Sequence, residues 1–157
     1  LVLVNVPKPE QIVAEAVALV RPGGWVAFHE ADWFAHICEP PSEVWTAIVQ
    51  LLVRYSEKNG IDLFIGRKLP GLLRSAGLTE IQVKPLIHVY PPRAPRRNIL
   101  LDFAENLSER ILADGLVERV ELDRLREALR HDLDDPGRLV ISHLFLQAWG
   151  RKPAKTA

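Results

Sequence analysis

The residues of this chain best suited to chemistry are crowded together: His29, Glu30, Asp32, Trp33, His36 and Cys38 all fall within ten positions. An imidazole and two carboxylates can take or hold protons, and an indole can wall a pocket. His29 or Asp32 is therefore a candidate general base, Glu30 an orienting group, and Trp33 a wall against a substrate. The structural alternative is that Glu30 and Asp32 bond loop amides while Trp33 packs under the next helix. His36-x-Cys38 beside His29 raises the question of a metal, but zinc takes four ligands at tighter recurring spacing, so no metal site is expected. Trp45 and Tyr55, ten apart on one helical pattern, line a substrate pocket or pack a core. His88 and His143 lie within strand patterns and read as packed or edge residues. Arg93, Arg96 and Arg97 either greet an anionic substrate or belong to a solvated loop, and the loop is the simpler expectation.

These residues need elements to position them. Residues 9–20 carry apolar side chains at helical spacing, and Arg21-Pro22-Gly23-Gly24 forms a corner in which Arg21 offers a cation to the helix end, Pro22 stops it and Gly23 takes positive φ. The apolar run 25–30 suits a strand covered on both faces, and His29 to Trp33 would then lie at its carboxyl end. A helix over 42–58 ends at Gly60, and a short one around Leu69, Leu72, Leu73 and Ala76 is capped by Gly77. Residues 80–90 alternate as an edge strand, with Ile81, Val83, Ile87 and Val89 on one face and Pro85 suited to an edge. Helices over 97–114 and 121–133 precede a turn at 134–137, a last strand over 139–149 and a frayed basic tail from 151 to 157. Residues 1–6 read as a strand or an apolar lead-in. The order is α/β, with parallel pairing expected between strands that helices separate. The strand launched from the glycine corner would have one uncovered long edge, open to another chain.

At 157 residues and 48% apolar composition, the chain has the size of one domain with a sizeable core. Twenty basic and twenty acidic residues argue against a general nucleic-acid or anionic-membrane binder and favour small or neutral partners. A single cysteine allows no internal disulfide and points to a reducing, cytoplasmic setting, and the apolar runs are too short to span a bilayer. The chain holds no methionine and opens on Leu-Val-Leu-Val, so it is expected to be a fragment or processed product whose upstream part is missing.

Taken in order, Leu1-Val2-Leu3-Val4-Asn5-Val6-Pro7-Lys8-Pro9-Glu10, Val20-Arg21-Pro22-Gly23-Gly24, His29-Glu30-Ala31-Asp32-Trp33, Ile65-Gly66-Arg67-Lys68-Leu69-Pro70-Gly71-Leu72-Leu73-Arg74-Ser75-Ala76-Gly77-Leu78 and Phe145-Leu146-Gln147-Ala148-Trp149-Gly150-Arg151-Lys152-Pro153 resemble the C-terminal half of class I S-adenosylmethionine-dependent methyltransferases of the ubiquinone/menaquinone-biosynthesis-like, small-molecule type. The resemblance covers essentially the whole chain. It implies a partial Rossmann-like sheet made of the family's fifth to seventh strands, with the last strand antiparallel between the other two. It implies cap helices at 42–58 and 97–133, a single domain over 1–157, and a small hydrophobic or aromatic acceptor. Leu1 and Asn5 would lie beside the cofactor, S-adenosylmethionine. The family's Gly-rich loop and the acidic residue that holds the ribose have no counterpart here, and Lys8 replaces the usual Asp, so this chain alone is expected to bind the cofactor poorly. Either an upstream half or a second copy, as a homodimer, would complete the sheet. The alternative is a non-catalytic remnant that self-associates as a binding module.

Overall fold

The structure, a computed structural model, describes residues 1–154, and its contacts divide the chain into two compact units. Of the described residues, the first comprises 1–34, 61–87 and 143–154; the second comprises 35–60 and 88–142.

In the first unit, helix α1 (Pro9–Leu19) starts with proline in its first turn, where a missing N–H costs nothing. Its end differs from the expectation. Arg21 is exposed, no basic residue lies in the last turn, and the cation comes from the far end of the chain: Lys152 Nζ donates to the carbonyls of Val17 and Val20, 2.8 Å each. Lys152 also exchanges backbone bonds with Gly23 and Gly24, so the tail is tied down at this point rather than frayed. Residues 155–157 of that tail lie outside the described residues. Gly23, at φ 78°, makes the turn into strand β1 (Trp25–Asp32) as the corner requires.

Strand β1 is covered on one face along most of its length, with Ala31 alone buried on the other. Val26 and Glu30 are buried and Phe28 is half-buried, whereas Trp25, Ala27 and His29 are exposed, because an edge strand in this unit meets helices on a single side. Its neighbour is β5 (Leu144–Arg151), which also pairs with β3 (Thr79–Leu86), giving the order β1-β5-β3. Both pairings are antiparallel, so β1 and β3 run in the same direction with β5 between them. No parallel pair occurs among the described strands, contrary to the expectation from helix-separated strands. Helix α3 (Ile65–Ser75) contributes Ile65, Leu69 and Leu73 to a core shared with Leu3, Val13, Val26, Leu78 and Ala148. Its approach depends on glycine: a Cβ on Gly66 would sit 2.9 Å from the carbonyl oxygen of Ala31. Residues 3–5 form a short 3-10 turn, not a strand.

The second unit is mostly helical. Helix α2 (Glu43–Lys58) is capped by Ser42, whose Oγ accepts the Trp45 N–H at 3.0 Å, and it buries Trp45, Ile48, Leu51, Leu52 and Tyr55. The helix expected over 97–114 is three pieces: a 3-10 turn at Pro95–Asn98, α4 (Ile99–Asn106) and α5 (Ser108–Ala113). Ser108 Oγ donates to the Glu105 carbonyl and competes with the helical ladder at the break. Helix α6 (Arg119–Asp134) buries Leu122, Leu125, Leu129 and Leu133 as the periodicity required. A two-stranded sheet pairs β2 (Ile37–Glu39) with β4 (Leu139–Ile141). The strand expected over 139–149 is thus two strands in two sheets, broken at Ser142 and His143 where the chain passes between units. Likewise β3 stops at Leu86, and Val89 bridges Ile141 in the second unit.

Arg97 corrects the reading of the basic loop. It is 2% exposed, and its guanidinium donates to the carbonyls of Leu133, Tyr90, Asp135 and Arg138 at 2.7–2.9 Å. The planar fork gathers the end of α6 and the turn after it, where the helix dipole favours a cation.

Candidate functional site

The carboxyl end of β1 carries the residues singled out for chemistry, and alternation along the strand separates them. Glu30 and Asp32 point to the helix-covered face, and His29 points to the open one. Glu30 is 1% exposed, and its Oε1 accepts the backbone N–H groups of Val2 and Leu3 at 2.7 and 2.8 Å. One carboxylate oxygen therefore pins the segment that enters α1, while Oε2 is buried without a hydrogen-bond partner among the described residues. Glu30 orients backbone here, and its second oxygen still has accepting capacity.

Asp32 is as deeply buried and far more fully engaged. Its two oxygens take the Arg67 guanidinium in a two-point fork, Nε to Oδ2 and Nη2 to Oδ1 at 2.6 Å each, and Oδ1 also accepts the Phe34 N–H at 3.0 Å. Burial pushes the carboxyl up, but the Arg67 hydrogen bonds, the Phe34 amide and the Arg67 charge together hold it below the usual aspartate range. A carboxylate so satisfied is a weak proton acceptor, and of the two candidate bases the geometry favours His29.

His29 faces Gln147, its cross-strand partner, with Nδ1 3.1 Å from the amide Nε2. While that amide donates, the imidazole proton sits on Nε2. Turned by half a rotation, the amide oxygen would accept Nδ1–H and leave Nε2 free to take a proton. Phe145 lies edge-on to His29 at 5.0 Å and to His143 at 4.5 Å, and His143 stacks parallel to the buried Trp33 at 6.0 Å. His143 thus belongs to an aromatic group at this end of the sheet. Sequence reasoning placed it in a strand because the break beside it leaves no mark in the apolar pattern.

Trp45 and Tyr55 are buried in the second unit, at 4% and 3% exposure. The Trp45 ring lies 6.0 Å from that of His36, and its buried indole N–H has no hydrogen-bond partner among the described residues. Cys38, in the same unit, has its thiol pushed up by burial against the opposing effect of Arg138, which makes it a poor nucleophile. Among the described residues, no group of three or more His, Cys, Asp or Glu is placed to hold a metal ion, and no helix is long and apolar enough to cross a membrane.

For the cofactor, Leu1 and Asn5 are exposed, and no side-chain bond among the described residues holds either. The described residues offer no glycine-lined turn between a strand and a helix N-terminus into which a nucleoside could settle. The residue that sequence reasoning missed is Arg67: its pairing spans 35 positions to Asp32, and nothing in local spacing announces it.

No family model matches the chain. It is similar to an uncharacterized 37.1 kDa protein in a transposon, TN4556, of Streptomyces fradiae, with 34% identity over 90 residues. Those residues are 57% of this chain and a quarter of that protein's length.

Proposed function

We propose that this chain is the acceptor-side, C-terminal part of an S-adenosylmethionine-dependent methyltransferase acting on a small hydrophobic or aromatic molecule. The observation that supports this reading best is β5, inserted antiparallel between two strands of common direction, with α1 and α3 on one face and a polar, aromatic group at the carboxyl end of β1. Ligands in open α/β sheets sit outside the carboxyl ends of the strands. In this reading the partial Rossmann-like sheet is the fifth to seventh strands of the family, and the helices of 42–58 and 97–133 correspond to the family's cap helices. His29 takes the proton of an acceptor hydroxyl at Nε2, with the Gln147 amide turned so that its Oε1 accepts Nδ1–H. Glu30 fixes the Val2–Leu3 backbone on which Leu1 and Asn5 approach the cofactor, Trp33 walls the acceptor, and Trp45 and Tyr55 belong to the acceptor side. The cofactor supplies the methyl group, and the family's Gly-rich loop, which this chain lacks, would hold it. The test is the upstream reading frame, expressed joined to this chain. A Gly-rich loop after a strand and micromolar binding of S-adenosylmethionine by calorimetry are expected; a frame without that loop, giving a protein that binds none, overturns the reading.

The two edges of the sheet favour a second reading, a non-catalytic module that pairs with its own copy. Edge β3 carries the devices that discourage pairing, Lys84, Pro85 and an irregular register between Thr79 and Gln82. Edge β1 carries neither lysine nor proline and keeps an unbroken register over its eight residues. Such an edge accepts another strand, whether from a homodimer or from an upstream half.

A further inference from the structure

We infer that Arg67, with Phe34 and Phe64, is a receptor for a carboxylate on a planar, apolar small molecule. Asp32 uses both oxygens on the Nε and Nη2 edge of the guanidinium, so Nη1 makes no hydrogen bond among the described residues and the side chain stays 47% exposed. A guanidinium offers five N–H donors in a fixed plane, and the edge formed by Nη1 and Nη2 matches the two oxygens of a carboxylate. The head is also held in place: its Cζ lies 5.3 Å from the Phe34 ring and 5.0 Å from the Phe64 ring. A donor already fixed by a fork and two rings loses little freedom when a ligand arrives.

The apolar half of the receptor is Phe34, 77% exposed beside the cation. Its backbone N–H is bonded to the same Asp32 carboxylate that fixes Arg67, so one buried charge sets both the cation and the ring next to it. Arg67 is the third residue of α3, where the positive end of the helix adds to its field. An anion bearing a flat apolar body would meet both features at once; a bare anion would meet only one. As a description of the acceptor, an aromatic carboxylic acid with a hydroxyl or amino nucleophile, this rests on the methyltransferase reading; as a binding site it does not.

The experiment is a titration of this chain with benzoate, benzamide and inorganic phosphate, followed by NMR at the Arg67 Nε–H and the Phe34 ring. Benzoate should shift both saturably in the millimolar range, with benzamide at least about tenfold weaker for want of the charge. Phe34→Ala keeps the backbone bond to Asp32 and should weaken benzoate about three- to tenfold while leaving the phosphate response unchanged. Arg67→Lys, which cannot offer a second planar edge, should weaken benzoate about tenfold. Benzamide equal to benzoate, phosphate equal to benzoate, or no effect of Phe34→Ala overturns the inference. Because no cofactor enters the titration, a flat benzoate response removes the carboxylate receptor and leaves methyl transfer standing. An upstream frame without a cofactor loop does the reverse.

Discussion

Asp32 shows how a residue whose type suits catalysis is spent on structure. Its carboxylate joins β1, the Phe34 turn and α3, and its proton affinity is lowered by the groups it joins. Because the folded state holds the proton less tightly than the unfolded chain, the contribution of Asp32 is complete above the ordinary aspartate value of about 3.9 and is lost as pH falls through the lower folded value. Asp32→Asn keeps the shape and removes the charge, so urea unfolding at neutral pH should show a loss of about 1–3 kcal/mol. The variant and the parent should converge in stability only once pH has fallen below the lowered folded value, where the parent carboxyl is also protonated. An unchanged midpoint at neutral pH would show that the fork contributes nothing. Whether Asp32 fixes protein or takes a proton is decided by Arg67, which the sequence places 35 residues away.

Elements in this chain are secured by single residues brought in from a distance. Arg97 is bonded to four carbonyls around the end of α6, and Arg97→Leu would bury those oxygens without donors. A loss of about 3–5 kcal/mol is expected, read as a lowered unfolding midpoint, with Arg97→Lys recovering only part because one ammonium cannot reach four acceptors in a plane. Gly66 sets how closely α3 lies on β1. Gly66→Ala places a methyl 2.9 Å from the Ala31 oxygen and should cost about 1–3 kcal/mol, although alanine is the better helix former. If Gly66→Ala raised the melting temperature, the close packing of helix on strand would be refuted.

For the molecule as a whole, the unequal edges of the first sheet set the expected behaviour. With β1 bare and β3 guarded, the chain should sediment as a concentration-dependent dimer, and Ala27→Lys, at an exposed position of β1, should shift it toward monomer without unfolding it. A parent that stays monomeric at high concentration would count against pairing through β1. Much of this architecture was legible beforehand. The helices of 42–58 and 121–133, the corner at Gly23 and the edge character of residues 80–86 follow from periodicity, proline and glycine. The break at Ser142 and His143 and the split of the helix over 97–114 were not legible, because the apolar pattern runs through both.

By itself the sequence determined most of the helices and the strand launched from the glycine corner, since apolar spacing and turn residues act within a few positions of the chain. It also determined that β1 would end in a cluster of proton-bearing and aromatic side chains. Only the tertiary structure decided what each member does: alternation along β1 sends His29 to the open face and Glu30 to the helix side, where it meets the Val2 and Leu3 amides. It likewise decided that Arg67 meets Asp32, that Arg97 is buried rather than solvated, and that Lys152 rather than Arg21 closes α1. Apart from the Arg97 bond to Tyr90, seven positions away, each of these is a charge satisfied across 27 to 135 positions of chain, and such pairings depend on how elements pack, which local spacing does not encode.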